Sequence, residues 1–105
     1  MTKKERLDRQ GSPQTDLKER VKKPRRFKVI IHNDDFTTME FVVEILMNVF
    51  RKNQTEATRL MLMVHHKGMA VAGVYTHDIA ETKKMQVIDA ARAEGHPFMC
   101  TIEPE

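Results

Sequence analysis

Residues 27–42 decide the fold, and they read Phe27-Lys-Val-Ile-Ile-His-Asn-Asp-Asp-Phe-Thr-Thr-Met-Glu-Phe-Val42. The first part of this stretch is short and rich in β-branched side chains, which predicts a strand. Thr37 and Glu40 have the spacing of a capping box and predict the start of a helix. Between the strand and the helix stand three side chains that offer acceptor oxygens, Asn33, Asp34 and Asp35. Such residues are ordinary before a helix, but beside apolar residues they also suit a ligand with a positive, donor-rich head and an apolar body.

The rest of the chain continues this alternation of elements. Apolar residues at helical spacing extend the first helix to Phe50. Asn53 and Glu56 repeat the cap spacing before a second helix, which Gly68 can end in a left-handed conformation. The later segments predict a strand over 69–75, a third helix over about 77–94 and a last strand over 98–102. The order βααβαβ predicts an α+β two-layer sandwich, in which a three-stranded, mostly antiparallel sheet carries three helices on one face.

Charge divides the chain into two parts. Residues 1–26 carry ten Lys and Arg against four Asp and Glu, whereas residues 27–105 carry eight against eleven. The first part has few large apolar side chains and several Gly and Pro, so we expect a disordered basic arm. The second part is expected to be one folded domain, and its mildly acidic charge argues against a surface for nucleic acid.

Composition also excludes several classes of protein. No apolar run is long enough to span a membrane, and the N-terminal residues lack the apolar segment of a secretory signal. We therefore expect a cytoplasmic protein without a membrane partner. The single cysteine, Cys100, excludes a disulfide framework and any CxxC metal or redox motif.

The residues offer little for catalysis. Asp34 and Asp35 are adjacent, so in an extended segment they point to opposite sides and cannot converge on one bond. His65 and His66 are adjacent on a helix and diverge by about 100°, whereas metal-binding pairs are usually about four residues apart. We expect no catalytic residue, no metal and no cofactor, and a metal-dependent hydrolase that uses His65 and Asp34 is an outside alternative.

A binding pocket is favoured instead. Met39 and Val42 belong to the first helix, and Met61 and Val64 belong to the second. Two sequential helices with such apolar stripes should pack against each other. The acceptor cluster and His65 are then expected at the rim of the groove between the two helices.

The chain resembles the ClpS family, bacterial adaptors that deliver N-degron proteins to the ClpA-type AAA+ unfoldase of the ClpAP protease. The resemblance runs from about Phe27 to Glu103 and implies an adaptor, not an enzyme, that binds N-terminal Leu, Phe, Tyr or Trp and delivers the substrate for degradation by ClpP. Its motifs occur in order along the chain: Val29-Ile-Ile-His-Asn-Asp-Asp35 with Thr37-Thr-Met-Glu-Phe-Val42, Leu60-Met-Leu-Met-Val-His65 with Gly68, Gly73-Val-Tyr-Thr76, Ala80-Glu-Thr-Lys83 and His96-Pro-Phe-Met-Cys-Thr101.

The resemblance implies roles for individual residues. Asn33 and His65 would accept hydrogen bonds from the substrate's α-ammonium, and Asp34 would hold the ammonium region through water and the next backbone N–H. The unfoldase N-domain would contact Asp78 and Lys83 at the start of the third helix, with the adaptor as a monomer and the basic arm engaged during hand-off. The side-chain pocket would be shaped by Asp35, Thr37, Thr38, Met39, Val42, Met61, Val64 and Phe98.

Three residues depart from the family's pattern. Thr38 stands where proline is common, and Met63 stands where a small residue is usual. Phe98 replaces a common Leu at the expected pocket edge, where it should reduce the volume. These departures leave the range of accepted N-terminal residues open. The alternative function is a small RNA- or ribosome-associated binding protein that uses the basic arm.

Overall fold

The computed structural model describes residues 25–105, so nearly all of the predicted basic arm lies outside the described residues. The elements follow the predicted βααβαβ order, which confirms the α+β architecture. In chain order they are β1 (Arg26–His32), α1 (Met39–Asn48), α2 (Gln54–Lys67), β2 (Met69–Thr76), α3 (His77–Ala93) and β3 (Met99–Pro104).

The sheet of the described region has the strand order β2-β1-β3, and both pairings are antiparallel. The central strand β1 alternates sides, so Val29 and Ile31 are fully buried beneath the helices. The opposite face of the sheet exposes Met69, Val71 and Met99. The helices therefore cover one face, and β1 carries the chain to the edge of the core at His32.

The first helix begins one residue later than predicted. Its N-cap is Thr38, whose hydroxyl accepts the backbone N–H of Phe41 at 3.1 Å. Thr37 is not the cap because it donates both its N–H and its hydroxyl to Asp34. The helix also ends at Asn48, two residues before the predicted Phe50.

The second helix has the predicted ends. The Asn53 side chain accepts the backbone N–H of Glu56 at 2.8 Å, as an N-cap does. The Glu56 carboxylate does not complete the reciprocal capping box, because it binds the Arg59 guanidinium instead. Gly68 ends the helix with φ of 91°, a left-handed conformation that glycine adopts without a steric penalty.

The core is formed by the sheet and all three helices, and Ile31, Leu46, Val29 and Val87 are its largest fully buried side chains. Within the described residues, no helix is both long and apolar enough to cross a membrane.

Candidate functional site

A cavity of about 250 Å³ opens to solvent where β1 ends, α1 begins and α2 ends. The backbone N–H of Asn33 donates to the carbonyl of Gly68 at 2.9 Å, which fixes the acceptor cluster beside the end of α2. Nine of the eleven residues predicted to bind substrate line the cavity. They are Asn33, Asp34, Asp35, Thr37, Met39, Val42, Met61, Val64 and His65.

The apolar part of the lining comes from the two helices. Val42 and Val64 are buried at the base, Met61 is half-buried, and the side chain of Met39 is 44% exposed at the mouth. The lining residues of α1 come from its start and those of α2 from its second half, so the start of one helix adjoins the end of the other. The cavity thus combines an apolar interior with a polar rim, as sites for amphipathic ligands do.

The polar rim includes acceptors that the protein does not use. Among residues 25–105, the side chains of Asn33 and His65 make no hydrogen bond to another protein group. Both side chains are solvent-exposed, and the ring of His65 lies beside that of His66, with centroids 5.2 Å apart. These two groups are therefore available to a ligand that donates hydrogen bonds.

Asp34 differs from the unused acceptors of the rim, because its carboxylate already accepts hydrogen bonds from the protein. One oxygen accepts the backbone N–H groups of Phe36 and Thr37, at 2.8 Å and 2.7 Å. The other oxygen accepts the Thr37 hydroxyl at 2.7 Å. A carboxylate offers about four lone-pair sites, so Asp34 keeps limited capacity for a ligand while it organises the turn.

Two opposing effects set the acidity of Asp34. Partial burial by itself raises the pKa of its carboxyl. The hydrogen bonds from Thr37 and Phe36, together with the charge of a protonated His96, lower the pKa by a larger amount. The net result is a pKa below the ordinary value, so Asp34 is a carboxylate at neutral pH. The rim therefore presents a fixed negative charge to a ligand.

Two residues predicted for the pocket lie outside its lining. Thr38 is occupied as the N-cap of α1. Phe98 is 6% exposed and packs edge-on against Phe41, with ring centroids 5.9 Å apart, and it lines a different cavity of about 380 Å³ near the end of α3. Met63 also lies outside the lining and packs partly buried against the core.

Sequence reasoning gave no role to His96, which contributes to the site electrostatically. Its ring packs against Phe41 at 4.7 Å between centroids, and a protonated imidazole at this position favours the ionised form of Asp34. No spacing rule connects residues so far apart along the chain, so only the fold could reveal this neighbour. Within the described residues no cluster of three or more His, Cys, Asp or Glu could hold a metal ion.

The two residues predicted to contact the unfoldase differ in their surroundings. Asp78 projects fully into solvent at the first turn of α3. Lys83 is half-buried, and its Nζ donates to the carbonyl of Val49 at 2.7 Å while it lies 5.7 Å from the centre of the Tyr75 ring. Lys83 thus stabilises the end of α1, whatever it contacts in an assembly.

Comparisons with known proteins agree on one family. The model of the family described as "ATP-dependent Clp protease adaptor protein ClpS" matches residues 22–101. The chain is 53% identical to the Clp protease adapter protein ClpS of Desulfatibacillum aliphaticivorans over 90% of this chain and 91% of that one. It is 54% identical to that of Nitratidesulfovibrio vulgaris, over 89% of this chain and 95% of the relative.

A solved structure is similar as well. The chain superimposes on Agrobacterium tumefaciens ClpS2 bound to L-phenylalaninamide with a TM-score of 0.76 and 42% sequence identity. The match covers 79% of this chain and 100% of that structure.

Proposed function

The chain belongs to the ClpS family of ATP-dependent Clp protease adaptor proteins, and on that premise we propose which substrates it binds and which partner receives them. The family is not catalytic, so the chain is an adaptor rather than an enzyme. The proposed substrates bear N-terminal Leu, Phe, Tyr or Trp. The proposed recipient is the N-domain of a ClpA-type unfoldase, which passes substrates to ClpP.

The observation that carries this proposal is the pairing of an apolar interior with unused acceptors at the rim. Val42 and Val64 offer surface to an apolar side chain, while Asn33 and His65 offer acceptors to an ammonium group. ClpS2, which is similar to this chain, was solved with L-phenylalaninamide, a ligand that has an aromatic side chain and a free α-amino group. The same chemistry fits the present cavity.

Energetics explain why such a site would recognise only chain ends. Burying one Leu or Phe side chain contributes about 1.5–3 kcal/mol, whereas micromolar binding requires about 8 kcal/mol. Hydrogen bonds from a charged ammonium contribute about 1.5–3 kcal/mol each. An internal residue has no ammonium, so it cannot supply this part of the binding free energy.

A titration of two labelled peptides tests substrate binding. A peptide that begins Leu-Leu is expected to bind, and its N-acetylated twin is expected to lose measurable affinity because the acceptors then face a neutral amide. Asn33→Ala should weaken binding of the free peptide, whereas the control Asn48→Ala, at the far end of α1, should not. Equal affinities for the free and acetylated peptides would overturn the proposal.

Delivery is tested separately from binding. Asp78→Asn is expected to weaken the complex with the unfoldase N-domain while leaving peptide affinity unchanged, because Asp78 is remote from the cavity and fully exposed. Asp89→Asn, exposed further along the same helix, is the matched control. If both variants bound the N-domain as the wild type does, the contact at the start of α3 would be misassigned.

Three further parts of the proposal rest on the sequence. The adaptor is expected to act as a monomer in the cytoplasm, without nucleic acid. The RNA- or ribosome-associated alternative depends on the basic arm, which lies outside the described residues, whereas family membership favours the adaptor.

A further inference from the structure

Two methionines form one wall of the site cavity. Met39 is the first residue of α1, and Met61 lies in the second half of α2. Both side chains line the cavity, and both also line a second, more open depression of about 440 Å³ between the same two helices. The two thioethers therefore lie between the cavity and the open depression, and we call the pair the thioether wall.

Small solutes can approach the thioether wall from two sides. Met39 is exposed at the mouth of the cavity, and Met61 is half-buried between the two depressions. Hydrogen peroxide is little larger than water, which occupies about 30 Å³ in the liquid. The cavity, of about 250 Å³, and the depression both have room for several such molecules. An oxidant of this size can therefore reach both side chains.

The other oxidisable side chains differ in where they lie. Among residues 25–105, Met47, Met69, Met85 and Met99 are exposed, but none of them lines the cavity. Cys100 is buried and also outside the lining, and burial raises the pKa of its thiol to about 11, so the reactive thiolate is scarce at neutral pH. Oxidation of Met39 or Met61 is therefore the event that changes the cavity itself.

The chemistry at the wall is a transfer of one oxygen atom. A thioether sulfur attacks hydrogen peroxide, the S–O bond forms and the O–O bond breaks. The sulfur loses two electrons, and the second peroxide oxygen leaves as water with both protons. The product is a sulfoxide, which is polar where the thioether was apolar. Methionine sulfoxide reductase reverses the step: a pair of thiols is oxidised to a disulfide, and the sulfoxide oxygen leaves as water.

A sulfoxide at the wall would oppose an apolar ligand. Its oxygen is a strong acceptor, and the carboxylates of Asp34 and Asp35 at the rim are acceptors as well. The hydroxyl of Thr37, another lining residue, already donates to Asp34 at 2.7 Å. The sulfoxide oxygen therefore keeps water in the mouth of the cavity. An entering Leu or Phe side chain has to displace that water, and burial of a polar group without its hydrogen bond is unfavourable.

We propose that Met39 and Met61 are a reversible oxidation site, at which sulfoxide formation lowers substrate affinity and enzymatic reduction restores it. This inference rests on the proposed function, because it assumes that an apolar N-terminal side chain fills the cavity. It adds a control of substrate binding by two-electron oxidants such as hydrogen peroxide.

The test measures affinity for a Leu-initiated peptide that contains no Met or Cys, before and after graded treatment with hydrogen peroxide. It uses the wild type, Met39→Leu/Met61→Leu and the control Met47→Leu/Met85→Leu, with fragment mass spectrometry to locate the sulfoxides and circular dichroism to monitor the fold. The affinities of the wild type and the control should fall about fivefold or more. The variant without the thioether wall should keep the affinity that it has before treatment. Methionine sulfoxide reductase with a dithiol should restore the wild type.

Protection by ligand is a second measurement, and it needs no variant. A saturating Leu-initiated peptide should slow the oxidation of Met39 relative to that of Met99, because the bound side chain covers the cavity face of the wall. The N-acetylated twin of the peptide should give no protection. Equal rates with and without the free peptide would contradict the placement of Met39 against the ligand.

The possible failures are distinguishable. If the untreated wild type binds no Leu-initiated peptide, the proposed function itself is wrong. If Met39 and Met61 become sulfoxides and the affinity stays the same or rises, the inference is wrong and the proposed function stands. If the variant without the thioether wall loses affinity by the same factor as the wild type, another group is responsible. If Met99 is fully oxidised while Met39 and Met61 remain thioethers, the wall is not an oxidation site.

Discussion

The carboxylate of Asp34 accepts both the backbone N–H and the hydroxyl of Thr37, each at 2.7 Å. This pair closes the turn between β1 and α1 and leaves the role of helix cap to Thr38. The turn holds Asp35 and Thr37 at the cavity lining, so a residue with a structural role also determines the shape of the site.

Thr37→Val removes the hydroxyl donor and keeps the β-branched shape. We expect it to lower the free energy of unfolding by about 1–2 kcal/mol, since the lost hydrogen bond is to a charged acceptor, and to weaken binding of a Leu peptide. Urea denaturation and peptide titration measure the two effects. The control is Thr82→Val, whose hydroxyl bonds an exposed carbonyl at 3.1 Å and should cost less than about 0.5 kcal/mol. Equal losses in the two variants would contradict the role of the turn.

The lowered pKa of Asp34 predicts a dependence of stability on pH. Its carboxyl stays ionised in the folded protein at pH values where it is protonated in the unfolded chain, so ionisation stabilises the fold above roughly pH 4. That contribution is lost as the pH falls through the lower folded-state pKa. The difference in unfolding free energy between the wild type and Asp34→Asn should therefore shrink from pH 5 toward pH 2.5. A difference that stays constant over this range would show that Asp34 is not ionised preferentially in the fold.

Met39 is expected to restrict which side chains enter the cavity. Its side chain is partly exposed at the mouth, where it should clash with residues branched at Cβ, whose χ1 is stiff. Met39→Ala should therefore admit peptides that begin with Val or Ile while retaining Leu. Met47→Ala, an exposed methionine of the same helix outside the lining, is the control. A wild type that already bound Ile and Leu alike would remove the gating role.

Cys100 should be chemically inert in the folded protein. Burial raises the pKa of its thiol to about 11, and the nearby charge of Lys84 offsets only part of that effect. Alkylation requires the thiolate, so iodoacetamide should label the native protein slowly at pH 8 and label it readily in denaturing urea. Gln86→Cys in a Cys100→Ala background supplies an exposed cysteine on α3 as the reference. Rapid labelling of native wild type would show that the end of α3 and β3 opens.

Removal of residues 1–20 should separate binding from delivery. Peptide affinity is expected to change by less than about 0.5 kcal/mol, as for other changes remote from a site. Degradation of a Leu-initiated substrate by the unfoldase and protease should fall sharply. Loss of peptide binding on truncation would assign part of the arm to the site.

The sequence predicted those parts of the site that depend on local pattern. Asn53 and Gly68 mark the ends of α2 because cap chemistry is local. Local pattern could not show whether Thr37 or Thr38 caps α1, since both carry a hydroxyl. The carboxylate of Asp34 decides between them because it accepts the hydroxyl of Thr37 and leaves Thr38 as the cap.

Contacts between residues far apart along the chain were harder to predict from the sequence. The side chain of Phe98 packs edge-on against Phe41 and is not among the residues that line the cavity, a placement that depends on how the segment before β3 packs against α1. His96 becomes a neighbour of Asp34 in the same way. Neither of these two relationships could be predicted from the spacing of residues along the chain.

The hydrogen bond from Lys83 to the Val49 carbonyl connects the proposed unfoldase surface to the helix that carries Met39 at its other end. A partner that draws the Lys83 ammonium toward its own carboxylates leaves that carbonyl without its donor. Docking at α3 is then thermodynamically linked to the order of α1, and the linkage is reciprocal. A substrate that makes α1 more rigid should lower the affinity of a partner whose binding requires Lys83 to leave the Val49 carbonyl. The affinity of a partner that binds through Asp78 alone should not change when substrate is bound.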